Sequence, residues 1–416
     1  MECILYLCPI LTIFSVCFVG VPFPKDIVHE RLSCLAMVSQ RRRRCLLQQQ
    51  LVLLLLAMIQ HYSSTRNRWN LSRQAIVLPR SSPWQHLFAN ADPDSFLLMT
   101  GVTRDVFGML LTILYPASTI QRLIRAKGRP RLMSPHAELG LFLFYIGSTM
   151  QIKHLCLIFG ITPTRCSAVI RHLLRVIPSK LRLHAFAKVV FPNNEKMAEF
   201  AAMIEQREPL AHDVIGFMDG VALHSECSSE ITQQNLMYNG YHSDTMVNNV
   251  IAYGADGKVF LCGVNVPGST HDGSICSNLL PVIKQKIGSF KICVDQGFPR
   301  RGDAEGILVG PLSKRSARSL SPILREYILR LSNCYVSLRQ ASEWGMRCLQ
   351  GSFPRIKKRL PSEKKKRNQI IQSIILIHNF RTHCIGCNQI KTVFDDEYER
   401  VICLNGNDRI SRYYNL

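Results

Sequence analysis

The sequence lacks the short motifs that mark the commonest enzyme classes. It contains no P-loop, no GxGxxG and no GxSxG pattern, which excludes the usual nucleotide-binding folds and serine hydrolases. No internal repeat of about 20 to 50 residues is visible, so a solenoid or propeller is excluded as well. The cysteines are scattered from Cys3 to Cys403 without the regular spacing of a disulfide scaffold. This scatter indicates reduced thiols inside a cell.

Acidic residues are scarce relative to basic ones. The 416 residues include 51 Lys and Arg but only 29 Asp and Glu, which leaves a formal net charge of +22. Such an excess predicts a polyanionic partner, with nucleic acid as the first candidate. The composition is otherwise that of a globular chain, since 47% of the residues are hydrophobic and Gly and Pro are at ordinary levels. The length fits two or three domains.

Residues 1–80 are predicted to form a leader that carries two apolar stretches. The stretch from Cys3 to Phe23 has no charged residue and is long enough for a membrane span or a signal-peptide core. Pro9 and Gly20 weaken a helix there, and no basic residue precedes it, so we expect no membrane insertion. Membrane anchoring and an over-extended gene model remain the alternatives. Leu51 to Met58 follows a run of arginines and predicts a basic, partly amphipathic helix.

Residues 81–195 show helical periodicity and include a candidate helix-turn-helix at about residues 135–178. Gly160 makes the short turn between the last two helical patterns. From Leu139 to Asn194 there is no acidic residue, whereas seven residues are basic. The apolar periodicity of the last helix leaves three arginines for DNA, namely Arg165, Arg171 and Arg175. The alternative is an ordinary helical subdomain whose arginines are merely solvated.

The periodicity changes from helical to strand-like after about residue 212, which indicates a second domain. The apolar run Val214 to Met218 leads into Asp219, and we expect this strand to end there. The run Phe290 to Val294 leads in the same way into Asp295. Ligands of open α/β sheets bind at the carboxyl ends of the strands, so both acids are candidates for a site.

Other patterns complete this second domain. Val247 to Tyr253 and Val259 to Val266 are predicted to form a hairpin. Asp272 lies near the start of a predicted helix, and Leu338 to Leu349 predicts another helix, which carries Glu343. Two Mg²⁺ ions about 4 Å apart need several carboxylates, and carboxylates brought together without a cation would repel each other.

The residues by themselves leave a purely structural role open for each acid. Asp before Gly is ordinary turn chemistry, and Asp272 is a plausible helix N-cap. Glu343 has the spacing to pair with Arg339 or Arg347 on an exposed helix face.

Four segments in order resemble the PIF/Harbinger group of transposases and the nucleases derived from them, a DDE endonuclease family. These segments are IGFMDGVALH, VPGSTHDGSI, ICVDQGFP and SEWGMRCLQGSFPRIKKRL. The resemblance covers about residues 135–395, because the helix-turn-helix region and RTHCIGCNQIKTVF also look like parts of that family. The sequence departs from the family pattern at Gln296, where Ser is usual, and at Trp344, where Arg is common.

The resemblance implies an α/β RNase H-like catalytic domain at residues 212–395, a mixed sheet flanked by helices, after an all-α helix-turn-helix region and before a tail at 396–416. It implies that Asp219, Asp295 and Glu343 are catalytic and bind Mg²⁺ or Mn²⁺, with Asp272 as a supporting acid. The implied function is a metal-dependent DNA endonuclease or transposase-like protein that uses two metal ions. The alternative is a domesticated, inactive DNA-binding protein of the same fold. The implied partners are DNA, an accessory DNA-binding protein and a second copy of the chain.

A basic segment follows the third acid. Arg355, Lys357, Lys358 and Arg359 precede a second run of basic residues at 364–367. These residues predict contacts with the DNA backbone or a nuclear import signal, and hence a nuclear protein. The alternative is a solvated loop at the start of a helix.

Overall fold

The computed structural model describes residues 39–40, 42–61, 71–117, 133–312, 322–386 and 388–395. The chain divides into two units, residues 1–70 and 71–416. In the first unit, residues 42–61 are helical, which confirms the helix predicted at Leu51 to Met58. The apolar stretch from Cys3 to Phe23 and the predicted tail at 396–416 lie outside the described residues.

The second unit begins with an all-helical region. Its helices are α1 (Pro83–Asn90), α2 (Pro93–Thr100), α3 (Arg104–Leu114), α4 (Pro135–Ile146), α5 (Ile152–Phe159), α6 (Pro163–Leu181) and α7 (Asn194–Arg207). Helix α4 is the centre of this region, since every residue from Ala137 to Ile146 is buried. Trp84 of α1 packs directly on Gly140 of α4, where a side chain would collide with the indole ring.

Helices α5 and α6 lie where the sequence predicts the last two helices of the helix-turn-helix. Gly160 joins them in the left-handed conformation, with a φ of 66° that favours glycine. Helix α6 buries Val169, Leu173, Leu174 and Ile177 and exposes Arg171 and Arg175. The predicted apolar face of α6 is therefore confirmed, as is the exposure of two of the three predicted arginines; Arg165 is only partly exposed.

A six-stranded mixed sheet follows. The strands are β1 (Val214–His224), β2 (Tyr238–Asn239), β3 (Asp244–Gly254), β4 (Val259–Pro267), β5 (Lys291–Val294) and β6 (Leu308–Val309). The main order is β4-β3-β1-β5-β6, and β2 pairs with the start of β3. The pairs β4·β3 and β3·β1 are antiparallel, whereas the pairs β1·β5 and β5·β6 are parallel. The predicted hairpin of β3 and β4 is confirmed, with Gly257 at a φ of 74° in its turn.

Helices cover both faces of this sheet. They are α8 (Ile231–Met237), α9 (Asp272–Ile287), α10 (Pro322–Ser352), α11 (Lys364–Ile385) and α12 (Gln389–Phe394). Helix α9 packs on one face, where Ile275 lies against Gly263 of β4. Helix α10 packs on the other face, where Gly345 lies against the ring of Tyr253 of β3. The architecture confirms the predicted fold class, an all-α region followed by a mixed α/β domain.

Strand β1 does not end before Asp219, so that part of the prediction is wrong. The parallel pairing with β5 stops at Met218 and Val294, but the antiparallel pairing with β3 continues to His224. Asp219 therefore lies in the middle of a strand, at the point where one of its two neighbours ends. Helix α10 is also longer than the predicted Leu338 to Leu349, since it begins at Pro322.

No single helix among the described residues is long and apolar enough to cross a membrane. Helices α2 and α3 together pass that test of length and composition, as a pair bent by 51°.

The contact between Gly345 and Tyr253 makes the position of α10 testable. A Cβ atom added at Gly345 would lie 2.8 Å from the tyrosine ring, whereas one at Gly351 of the same helix meets nothing within 4 Å. We expect Gly345→Ala to lower the free energy of unfolding by about 1–3 kcal/mol, because the buried helix must shift. Gly351→Ala is the matched control and should be neutral or slightly stabilising. Urea denaturation measures both, and equal effects would contradict this packing.

Candidate active site

Two of the predicted acids lie side by side on neighbouring strands. Met218 of β1 pairs in register with Val294 of β5, so the next residues, Asp219 and Asp295, follow on adjacent strands. Neighbouring strands are about 4.8 Å apart, and residues in parallel register project to the same face. Both side chains reach helix α10, which covers that face. The structure therefore brings the first two predicted acids together.

Helix α10 presents three polar side chains to these acids. Arg339, Ser342 and Glu343 are spaced by three and four residues, so they share one side of the helix. Ser342 Oγ lies 3.4 Å from Asp219 Oδ2 and donates to the carbonyl oxygen of Arg339 at 2.7 Å. The helix is thus anchored over β1 at the first acid.

Arg339 lies between the second and third predicted acids. Its Nε is 3.7 Å from Asp295 Oδ1, and its Nη2 is 2.8 Å from Glu343 Oε1. The ion pair between Glu343 and Arg339 is one that the sequence left open as a surface interaction. The additional contact with Asp295 joins this pair to the acids of the sheet.

Asp272 approaches strand β1 from the other side. It is the first residue of α9, and its carboxylate lies over Gly220, where any side chain would collide with it. Successive side chains of a strand point to opposite faces, so Gly220 faces away from the side to which Asp219 projects. Asp272 thus contacts the residue that follows Asp219, but it reaches the strand from the α9 face.

The electrostatic environment of Asp219 is unfavourable for its charge. Burial raises the pKa of Asp219 to about 6 from its ordinary value of 3.8. The Gly220 N–H and the Arg339 guanidinium oppose this rise in pKa, whereas the charges of Asp295 and Asp272 add to it. Burial also raises the pKa of Asp272. Asp219 is therefore a partly desolvated acid that lacks sufficient positive charge nearby.

These side chains are chemically suited to a divalent cation. Carboxylate oxygens are the ligands that Mg²⁺ prefers, and a cation would offset both the burial that chiefly raises the pKa of Asp219 and the smaller effect of the neighbouring carboxylates. The Arg339 guanidinium already holds a positive charge against Asp295 and Glu343. Within the described ranges, no three His, Cys, Asp or Glu side chains are close enough together to hold a metal ion. Glu343 is drawn towards Arg339, and Asp272 comes from the opposite face.

The predicted DNA-contacting residues of the helical region divide into two groups. Arg171 and Arg175 are exposed along α6. Arg165 is only partly exposed, and its Nη2 lies 3.5 Å from Oε1 of the buried Glu138. Glu138 also accepts a hydrogen bond from the Tyr115 hydroxyl at 2.7 Å. Arg165 therefore has a structural partner, whereas the other two arginines face solvent.

The predicted basic segment after α10 divides in the same way. Lys357 and Lys358 are exposed. Arg355 lies over the ring of Tyr145 at 4.2 Å and donates to the Met150 carbonyl, and both Arg359 Nη atoms donate to Asp244 at 2.9 Å.

Sequence reasoning missed three features of the site. It did not find Ser342 as a contact of Asp219, nor Arg339 as a contact of Asp295. It also missed the close approach of Asp272 to Gly220. The four-residue spacing of Arg339 and Glu343 signals their pairing, but no sequence signal indicates which strand-end acid lies beneath them.

One comparison with known proteins, the match to a family model, agrees at a coarser level with the resemblance seen in the sequence. A family model described as "DDE superfamily endonuclease" matches residues 218–379, which include Asp219, Asp295 and Glu343. No curated protein matches the chain. A solved structure, the "Crystal structure of a pre-cleavage Mos1 transpososome", matches with 10% sequence identity over 62% of this chain and 81% of that chain, at a TM-score of 0.17. The match to the PIF/Harbinger group itself stays a prediction.

The raised pKa of Asp219 leads to a prediction about stability. In the folded chain this carboxyl keeps its proton up to about pH 6, and in the unfolded chain it loses the proton near pH 3.8. The folded state therefore binds more protons between these values, and its stability falls as the pH rises through them. In EDTA at pH 7, we expect Asp219→Asn to be more stable than the wild type by about 2–3 kcal/mol, with little difference at pH 4.

Asp244 provides a control of opposite sign for this measurement. Its contact with Arg359 lowers the pKa of Asp244 to about 2, so its contribution to stability is present above about pH 4 and lost as the pH falls towards 2. Asp244→Asn should therefore be less stable than the wild type at pH 7. Thermal unfolding of the three proteins at both pH values is the measurement. If the stability of the wild type rose relative to that of Asp219→Asn between pH 4 and pH 7, the environment assigned to Asp219 would be contradicted.

Proposed function

We propose that this chain is a metal-dependent DNA endonuclease of transposase type, with a DDE catalytic domain. The observation that carries the proposal is the position of the partly buried Asp219 beside Asp295 on adjacent strands, under the helix that bears Glu343. A buried carboxylate beside a second one is costly for folding, and such costs are concentrated at functional sites. The match of residues 218–379 to an endonuclease family supports the same assignment.

In this proposal Asp219, Asp295 and Glu343 hold Mg²⁺ or Mn²⁺, with Asp272 as the adjacent acid. The bound cations would polarise the phosphodiester and stabilise the attacking and leaving oxygens of an in-line displacement. Asp219 and Asp295 supply oxygens from fixed strand positions. Glu343 supplies its oxygens from α10 and must leave Arg339 to do so. The attacking group is water in hydrolysis, and a DNA 3′-hydroxyl in strand transfer.

Arg339 has a separate role in this proposal. Its guanidinium neutralises Asp295 and Glu343 before metal and DNA arrive. With Glu343 and Asp295 turned to a bound cation, the Arg339 guanidinium would be free to face the phosphate backbone, a ligand that arginine binds well.

The rest of the proposal concerns DNA and location. Arg171, Arg175, Lys357 and Lys358 are exposed and are proposed to contact the DNA backbone. A nuclear location follows from a DNA substrate and from the basic segment that begins at Arg355. An accessory DNA-binding protein and a second copy of the chain are the proposed protein partners.

A catalytically inactive DNA-binding protein of the same fold is the second candidate. The observation that favours it is that Arg339 already satisfies Glu343 and contacts Asp295. If this ion pair is permanent, the acids stabilise the fold and the exposed arginines of α6 provide the function. The two candidates differ in metal-dependent cleavage, not in DNA binding.

We expect purified protein to nick DNA only when Mg²⁺ or Mn²⁺ is present. Asp219→Asn, Asp295→Asn and Glu343→Gln should each lower nicking by about 10²-fold or more, because each removes one proposed ligand. Nicking is measured on supercoiled plasmid, with DNA affinity measured in parallel. The inactive candidate predicts no metal-dependent product and DNA binding that survives all three substitutions.

Two surface acids serve as matched controls for these variants. Glu326→Gln lies on the same helix as Glu343, and its side chain is 78% exposed in a pair with Arg330. Asp303→Asn removes an 85% exposed carboxylate that pairs with Lys284. Both variants should nick as the wild type does. Equal nicking by all five variants would refute the assignment of the three acids.

The exposed arginines of α6 give a prediction about salt dependence. The logarithm of DNA affinity falls with the logarithm of salt concentration in proportion to the number of phosphates neutralised. We expect Arg171→Gln combined with Arg175→Gln to weaken binding to all sequences and to lower this slope by about 2. Arg325→Gln, on the exposed part of α10, is the control. A slope unchanged by the double substitution would exclude α6 from the DNA interface.

A further inference from the structure

A cavity of about 530 Å³ lies beside the candidate active site. It opens between the turn after β2 and the turn after β4. The lining residues include two exposed aromatic rings and several polar groups, namely Tyr238, Tyr241, His242, Asn248, His271 and Asp272. Its volume is in the range of small-ligand sites.

The floor of the cavity is a fixed hydrogen-bonded structure. Asn248 of β3 is only 6% exposed, and its Nδ2 donates to the carbonyls of Gly268 and Thr270 at 3.2 and 2.7 Å. The N–H of Ser269 in the same turn donates to the Leu236 carbonyl at 3.2 Å. Asn248 Oδ1 is buried and has no hydrogen-bond partner among the described residues. Because this oxygen is shielded from solvent, Asn248 serves as a support for the floor of the cavity.

The rim of the cavity holds an aromatic ring out in solvent. Asn239 Oδ1 accepts hydrogen bonds from the N–H groups of Tyr241 and His242, at 3.0 and 3.2 Å. This turn leaves Tyr241 92% exposed and Tyr238 47% exposed. Fixed, exposed aromatic rings are the platforms on which proteins stack unpaired bases.

The cavity lies on the α9 face of strand β1. Asp272 lines it and also covers Gly220, the residue after Asp219. Ala222, another lining residue, is two positions beyond Gly220 and therefore projects to the same face. Asp219 projects to the opposite face, so the cavity and the paired acids lie on the two sides of this strand.

We infer that this cavity binds one unpaired nucleobase of the bound DNA. The inference rests on the proposed DNA-cleaving function. None of the described residues that line the cavity is Lys or Arg, so it suits a base rather than a phosphate. Its acceptor, the Asp272 carboxylate, matches the exocyclic amino groups of adenine, cytosine and guanine. Tyr241 and Tyr238 supply the stacking surface.

The test uses fluorescein-labelled DNA duplexes with and without a single unpaired adenine, in EDTA so that cleavage cannot contribute. We expect the wild type to bind the duplex with the unpaired base more tightly. Tyr241→Ala should reduce this preference by roughly five- to a hundred-fold, since that is the range for loss of one stacking contact. Tyr241→Phe keeps the ring and should keep the preference. Tyr327→Ala, which removes a 54% exposed tyrosine on α10, is the matched control and should also keep it.

The outcomes separate this inference from the proposed function. A duplex with 5-iodouracil at the unpaired position should crosslink to Tyr238 or Tyr241 on irradiation. DNA binding without any preference for the unpaired base, or a preference that survives Tyr241→Ala, overturns the inference alone. Failure to bind any DNA overturns the proposed function and the inference with it. Because Tyr241 is almost fully exposed, its replacement is not expected to disturb folding.

Discussion

The burial of Asp219 beside a second carboxylate is the constraint on which the site depends. Asp219 and Asp295 follow an in-register pair, so the sheet holds them on adjacent strands. Burial is the largest cause of the raised pKa of Asp219, and the charge of Asp295 adds to it. Positive charge therefore stabilises the fold here. Arg339 supplies it in this structure, and in the proposed function bound cations would compete with Arg339 for the same carboxylates.

Helix α10 determines which source of charge prevails. It carries the cation, Arg339, and the third acid, Glu343, one turn apart, so a small rotation of two side chains exchanges one ion pair for another. The helix itself is held in place by the contact of Gly345 with Tyr253 and by Ser342 over Asp219. In the proposed function, this packing would hold the acids in place while Glu343 leaves Arg339 to bind metal. In the alternative, an inactive DNA-binding protein, the same ion pairs are permanent parts of the fold.

Much of this fold could be predicted from the sequence, because apolar periodicity and turn residues report on local structure. The α6 face, the hairpin at Gly257 and the β5 run before Asp295 followed from such patterns. The end of β1 did not, since its continuation past Asp219 depends on pairing with a strand some thirty residues later. The basic run at 364–367 was also misjudged in part: Arg367 is buried, and its guanidinium binds Asn265 Oδ1 and the carbonyls of residues 361 and 362. Tertiary partners decide whether an arginine is a surface charge or a core group, and sequence position does not reveal them.

The same distinction determines how the helical region serves the catalytic domain. Arg355 lies over Tyr145 of α4, and Arg182, just after α6, donates to Gln372 of α11 at 2.7 Å. These basic residues connect the helical region to the α/β domain, so they are poorly placed to be released for DNA. The exposed Arg171 and Arg175 remain available, on a helix whose other face is buried in the same core. A DNA backbone held by α6 is therefore held in a fixed relation to the sheet. In the proposed function, that fixed relation predicts cleavage at a set distance from the bound segment.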